Sequence, residues 1–297
     1  MNIAMTGGSG FIGSVTTRLL ADQGHRVRVL VRPQSRRDHI RNAVDAFVEG
    51  STEDRESHQG LLEGADALIH NAVNWGLIHD GRIAAHLDTN LVASIELFNL
   101  AASANIPVVF VSSVAVHHTM LPAWNGLIDH AHPTRPGGLY GACKAALESH
   151  LWALAASHDL HFTVIRPAAV YGIDPNLPRS IGAPIIEQVR SGSPFTRPGG
   201  GKFVHVDDVA AAIAAPLQRE VPSGGIYHLA DCYARWSDWA AMVCEITGVR
   251  VDIDTSSPPQ PMNTFETDAL AEVLGVTLDR GHEGIRGHLE ELASRLP

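Results

Sequence analysis

Thr6-Gly7-Gly8-Ser9-Gly10-Phe11-Ile12-Gly13 follows a short apolar run, Asn2 to Met5, and leads into apolar residues at helical spacing: Phe11, Ile12, Val15, Leu19 and Leu20. The run reads as the first strand of a sheet and the spaced residues as the first helix. The glycines fall where one becomes the other. Gly7 suits the tight turn, Gly10 lets the main chain approach a pyrophosphate, and Gly13 lets the helix pack close to the sheet. The helix start then offers free N–H groups and a positive dipole end to phosphate. Gly8 to Gly13 also fits G-x-G-x-x-G, so the register of the motif stays open by one glycine. Strand, glycine turn and helix in this order are the setting that a dinucleotide motif requires.

Working outward, Arg26 to Val31 reads as the second strand. A carboxylate at its end would grip a ribose 2′-hydroxyl. Arg32 stands there instead, with Arg36 and Arg37 behind it and no acid before Asp38. Guanidinium groups match a phosphate in bidentate geometry. The reading is therefore NADP(H) rather than NAD, with Arg32 the main 2′-phosphate contact.

Strands and helices keep alternating. Asp66–His70, Pro107–Ser112 and Phe162–Arg166 read as strands, and 83–104 and 140–157 as helices. Pro107–Ser112 is apolar nearly throughout, as befits a strand buried on both faces. This is the βαβ order of an α/β doubly wound parallel sheet. After Pro167 the order loosens. Gly225–Ala230 reads as one returning strand, and 236–247 and 282–296 as helices of a smaller lobe. The division expected is a dinucleotide-binding domain over 1–171, completed by 203–230, and a C-terminal substrate lobe from 172–202 and 231–297.

The 297 residues suffice for such a domain and lobe. A net charge of −10 argues against a nucleic-acid partner. No apolar run reaches membrane-span length, and the start reads as a strand rather than a signal sequence. Cys143, Cys232 and Cys244 make no disulfide framework and fit a reducing cytoplasm. His117-His118 and His130-Ala131-His132 share one loop, but no cysteine supports them, and no metal site is expected.

Tyr140-Gly141-Ala142-Cys143-Lys144 opens the helix after the strand that ends in Ser112-Ser113. Tyr140 and Lys144 share a helix face one turn apart. The ammonium is expected to lower the tyrosine pKa by favouring the phenolate. Tyr140 would then move a proton to or from a substrate oxygen that the serine hydroxyl polarises. Cys143 reads as packing.

Together these stretches resemble the extended short-chain dehydrogenase/reductase family. The resemblance covers nearly the whole chain. Beyond the glycine loop and Tyr140–Lys144 it rests on His70-Asn71-Ala72, Asp88-Thr89-Asn90-Leu91, Val111-Ser112-Ser113, Arg166 to Gly172 and Phe203 to Ala210. It implies a Rossmann sheet, Ser113 as the catalytic serine, Tyr140 as acid/base, and Lys144 as its helper and a nicotinamide-ribose ligand. It places Asn90 near the active site and Pro167 and Val170 against the nicotinamide. Gly7, Gly10, Phe11, Ile12, Gly13, Asn71 and Ala72 would complete the cofactor contacts. Asp207 would cap the following helix. A homodimer would form through a four-helix bundle made of 83–104 and 140–157 from each subunit.

Three departures narrow the activity. Val114-Ala115 follow Ser113 where sugar dehydratases resemble one another in having Asp-Glu. Gly201 stands where nucleotide-sugar enzymes often carry an arginine, though Arg179, Arg190 or Arg197 could substitute. The arginines after strand two resemble NADP-dependent reductases. The expectation is a ketone reductase or secondary-alcohol dehydrogenase acting on a small molecule. The alternatives are an NAD-dependent nucleotide-sugar epimerase and a non-catalytic NADP(H) sensor. Trp75, Met120, Leu121, Trp124, Phe195, Trp236 and Trp239 are candidates for an apolar substrate pocket, with core packing the favoured reading of Trp239 at its helical position.

Overall fold

The computed structural model describes residues 1–297, the side chain of His79 excepted. The chain opens with β1 (Asn2–Thr6), α1 (Phe11–Asp22), β2 (Arg26–Val31), β3 (Ala46–Glu49), α2 (Arg55–Leu62) and β4 (Ala67–His70). Then come α3 (Trp75–His79), α4 (Ile83–Leu87), α5 (Ala93–Ser103), β5 (Val108–Val111), β6 (Leu127–Ile128) and α6 (Leu139–His158). The rest is β7 (Phe162–Pro167), β8 (Ala169–Tyr171), α7 (Ala183–Arg190), β9 (Gly200–His205), α8 (Val206–Ala214), β10 (Gly225–Leu229), β11 (Cys232–Arg235), α9 (Trp236–Thr247), β12 (Thr264–Phe265) and α10 (Gly281–Arg295). Among the described residues no helix is long and apolar enough to cross a membrane.

Seven parallel strands form the main sheet in the order β10-β7-β5-β4-β1-β2-β3. Chain order reverses across β1 and β4, which makes the switch point where α/β sheets open a crevice. The central strands are buried on both faces because helices cover both. One core joins Met5, Val29, Ile69 and Val204 to Val209 and Ile213 of α8. The other joins Ala4, Leu68 and Phe110 to Phe98 of α5 and Leu147 and Leu151 of α6. Burying one such aliphatic side chain contributes about 1.5–3 kcal/mol.

A third core, around Trp239, Phe195, Phe203 and Leu289, lies among α7, α9 and α10 beneath a small sheet ordered β11-β9-β8. Of the stretch 203–230, β10 joins the main sheet, whereas Phe203–His205 belongs to the small one.

Two local expectations change. The long helix 83–104 is interrupted by a π-turn, Asp88–Val92, between α4 and α5. The Asn90 carbonyl there accepts from Ser94 Oγ at 3.1 Å and from Cys143 Sγ at 3.3 Å, as a bulge that frees a backbone group allows. The cap of α8 is His205, whose ring accepts the Asp207 N–H at 3.2 Å. Asp207 instead sits in the first turn, where its charge suits the dipole.

Candidate active site

A cleft of about 800 Å³ runs along the carboxyl ends of the main-sheet strands. Its glycine end is built from main chain. Gly7 has φ +71°, and a Cβ there would lie 2.8 Å from Ala72 N. A Cβ on Gly13 would lie 2.0 Å from Gly7 O, so Gly13 packs against the loop behind the wall rather than lining it. Gly7, Gly10, Phe11 and Ile12 line the cleft. Among the described residues no side chain caps α1, and its first turn holds no acid. The N–H groups and dipole at that start are thus left to an anion, and the cradle has no room for a Cβ, so these residues fit a dinucleotide pyrophosphate. Thr6 Oγ1 accepts the Asn71 and Ala72 N–H groups at 3.2 and 3.3 Å and meets His70 Nδ1 at 2.9 Å. That ties the ends of β1 and β4 together and sets Asn71 and Ala72 in the wall. Burial holds the His70 imidazole neutral.

The loops after β2 and β3 shape the next section. Arg32, Gln34, Ser35, Arg36 and His39 come from one, and Gly50, Thr52 and Glu53 from the other. Arg37 is spent elsewhere, 2.6 Å from Glu49 Oε1. The β3 loop was not singled out from sequence. Because β3 pairs parallel with β2, the residues after it open on the same crevice.

At the far end, Ser113 follows β5 and caps the short turn Val114–Val116, its Oγ accepting from Ala115 N at 3.1 Å. Tyr140 and Lys144 come from the first turns of α6. Gly141 makes this approach possible, because a Cβ there would lie 2.2 Å from Ala115 O. Ser113, Tyr140, Lys144, Pro167 and Val170 all line the cleft. Lys144 is 3% exposed. Its Nζ donates to Val111 O at 2.7 Å and lies 5.9 Å from the Tyr140 ring centre.

The expected depression of the tyrosine pKa is not met. Burial pushes the Tyr140 phenol up to about 12, against a hydrogen bond from Ser113 that pulls it down. Burial brings Lys144 down to about 8. Lys144 aims at the Val111 carbonyl, and desolvation of the phenolate outweighs the Ser113 hydrogen bond. Tyr140 is therefore held protonated at neutral pH.

Asn90 stands behind the wall. Its Oδ1 accepts the Asn74 N–H at 2.7 Å and its Nδ2 meets His86 Nδ1 at 2.8 Å, so it holds Asn74, which does line the cleft. Beneath Ser113 lies a network that sequence reading passed over. Arg166 grips Glu148 through Nε (3.0 Å) and Nη2 (2.5 Å), Ser112 Oγ donates to Glu148 at 2.5 Å, and Arg166 Nη1 reaches His117 and His228 at 2.9 and 3.2 Å. Burial beside Arg166 lowers His117 to about 4 and His228 to about 2.

The apolar pocket is not assembled as expected. Trp75 lines the cleft, its ring 4.5 Å from Tyr140. Phe195 and Trp239 belong to the third core, and Met120, Leu121, Trp124 and Trp236 lie outside the lining. The wall also includes Asp174, Pro175, Asn176 and Arg179. Arg190 is bound to carbonyls at the C-terminus and Arg197 stacks 3.7 Å over Trp236, so of the three arginines only Arg179 reaches the cleft.

A glycine loop without a capping side chain, facing a tyrosine–lysine pair across strand ends, is the construction of the dinucleotide-dependent α/β enzymes. The family model described as the NAD dependent epimerase/dehydratase family matches residues 3–230, and the chain belongs to that family. The resemblance to the extended short-chain dehydrogenase/reductase family is thereby upheld. It is 29% identical over 221 residues to a putative dihydroflavonol 4-reductase of Synechocystis sp., covering 72% of this chain and 62% of that protein. It is 31% identical over 215 residues to sterol demethylase protein B of Methylococcus capsulatus, covering 71% and 64%. The matches thus span under two thirds of those relatives' lengths. The UDP-glucose 4-epimerase of Thermotoga maritima, solved with UDP-glucose, superposes with a TM-score of 0.83 at 21% identity over 100% of both chains. The Thermus thermophilus UDP-glucose 4-epimerase, solved with NAD, gives 0.81 at 23% identity, likewise over 100% of both.

Proposed function

We propose that the chain is an NADP(H)-dependent oxidoreductase that interconverts a ketone and a secondary alcohol. The observation that carries this reading is the gathering of Ser113, Tyr140 and Lys144 at one end of a cleft whose other section presents Arg32 and Arg36. The nicotinamide, when bound, supplies or takes up the hydride. The chain's own residues do the rest. Tyr140 donates its phenolic proton to the carbonyl oxygen as charge builds there, a contribution of about 10²–10⁴-fold for general acid catalysis. Ser113 holds that oxygen by a hydrogen bond. Lys144 stabilises the phenolate left behind and would contact the cofactor ribose. Gly7, Gly10, Phe11, Ile12, Asn71 and Ala72 would seat the cofactor, and Pro167 and Val170 would press on the nicotinamide.

A second reading, the NAD-dependent nucleotide-sugar epimerase, is favoured by one feature: the polar side chains of Asp174, Asn176 and Arg179 line the cleft, whereas most of the candidates for an apolar pocket do not. One experiment separates them. The purified protein is denatured and any released nicotinamide cofactor identified. Exchangeable NADP(H), with ketone turnover that Tyr140→Phe reduces at least a hundredfold while cofactor affinity holds, is the result expected. Retained, non-exchanging NAD, or full turnover by Tyr140→Phe, overturns the proposal. A cytoplasmic homodimer completes the reading. Exposed Val92, on the π-turn, and Trp152, on α6, support the pairing of those helices between subunits.

A further inference from the structure

The section of the cleft assigned to the cofactor ribose carries both signs of charge. Arg32 and Arg36 face it from the β2 loop and Glu53 from the β3 loop. Glu53 is not a loose surface acid. Thr89, a buried residue of the π-turn, donates from its Oγ1 to Glu53 Oε1. Burial raises the carboxyl, but hydrogen bonds from Thr89 and Ser51 and the nearby Arg32 guanidinium outweigh it and leave it below the usual carboxylate range. Among the described residues Arg32 and Glu53 form no ion pair within 4.0 Å, so each keeps capacity for a ligand. Arg37, the third cation of the β2 loop, is neutralised by Glu49.

We infer that Glu53 is a second cofactor-specificity residue that opposes Arg32. Fixed by Thr89, its carboxylate accepts a hydrogen bond from an unphosphorylated ribose hydroxyl and repels a 2′-phosphate, which Arg32 attracts. Cofactor choice is then a balance of two charges from neighbouring loops, and the chain accepts NAD(H) as well as NADP(H). This rests on reading the cleft as a dinucleotide site, not on which carbonyl is reduced.

The test is calorimetric titration of the full chain with two probes that differ only in the 2′-phosphate: adenosine 2′,5′-bisphosphate and 5′-AMP. Glu53→Gln keeps an acceptor for Thr89 and removes the charge. It should tighten the bisphosphate about five- to tenfold, the size of a partly exposed charge interaction, and leave 5′-AMP unchanged or weaker. Arg32→Gln should do the opposite. Thr89→Val, which frees the Glu53 carboxylate, should shift the ratio in the same direction as Glu53→Gln but less. The effect should shrink with salt. Equal changes on both probes, or none, with Glu53→Gln overturn the inference even where Arg32→Gln behaves as expected. If only Arg32→Gln fails, the NADP(H) preference falls and the role of Glu53 stands. A wild-type chain that binds neither probe overturns both.

Discussion

At the glycine end of the cleft the wall is main chain, and its shape depends on atoms that are absent. Gly7 takes a positive φ, and Gly13 packs so closely that a Cβ there would lie 2.0 Å from Gly7 O. At the tyrosine end the wall is side chain, and its shape depends on charges buried beneath it. Ser113 rides on a turn whose supports are the Glu148–Arg166 pair, 5% and 3% exposed, and two neutral histidines. One end tolerates no addition; the other tolerates no deletion. That contrast fixes where each should break.

The largest effect is expected at the buried pair. Glu148→Ala removes the partner of Arg166 and Ser112 and leaves an uncompensated interior guanidinium, which should cost about 3–5 kcal/mol in urea unfolding. A loss under about 1 kcal/mol would mean that water already reaches Arg166 and that the tyrosine end does not stand on this pair. Next is Gly13→Ala, which adds one methyl against a carbonyl. We expect a loss of about 2–3 kcal/mol, in the overpacking range, together with weakened cofactor binding because the loop must move. If affinity is unchanged, the loop absorbs the methyl and the glycine end is less rigid than its geometry implies.

The same contrast explains what was legible in the sequence. Gly7 and Gly13 could be read because a missing Cβ leaves only one residue type, and β1, β4, β5 and β7 because strands buried on both faces leave continuous apolar runs. The Tyr140–Lys144 spacing could be read because it lies within one helix. Glu53 could not, since it works with Arg32 from a different loop and with Thr89 from a turn that breaks helical periodicity. Nor could the placing of Phe195, whereas Trp239 reads as core from its helical position and is core. An aromatic residue reads the same in a core as in a pocket, and here α7, α9 and α10 close over both. The Tyr140 pKa is not legible either, for a related reason. Spacing gives the distance to Lys144 but not the desolvation, which dominates.

Lys144 yields a test with opposite signs in two measurements. Its pKa falls from 10.5 to about 8 on folding, so it is charged below pH 8 and neutral above. If the ammonium stabilises the departing tyrosinate, kcat/KM for reduction should drop about tenfold per unit above pH 8. Stability moves the other way. Between pH 8 and 10.5 the unfolded chain binds the proton more tightly, so unfolding free energy rises with pH through that window. The stability advantage of Lys144→Met over the wild type should therefore narrow there. A flat rate profile to pH 10 would remove Lys144 from proton transfer, and a constant stability gap would mean that its ammonium is not desolvated.

The smallest effect separates the two readings of the substrate. Arg179 lines the cleft and, among the described residues, makes no ion pair there. It is exposed, so any contact it makes to substrate is screened, and Arg179→Ala should leave stability within about 0.5 kcal/mol. For an uncharged ketone the variant should change KM less than about twofold. For a substrate with a phosphate it should raise KM about five- to tenfold and leave kcat alone, because binding lost equally in ground and transition states appears only in KM. The first outcome keeps Arg179 a solvated rim residue. The second means that the tyrosine end recognises an anion, as the glycine end is shaped to do, but through a flexible side chain instead of a fixed main chain.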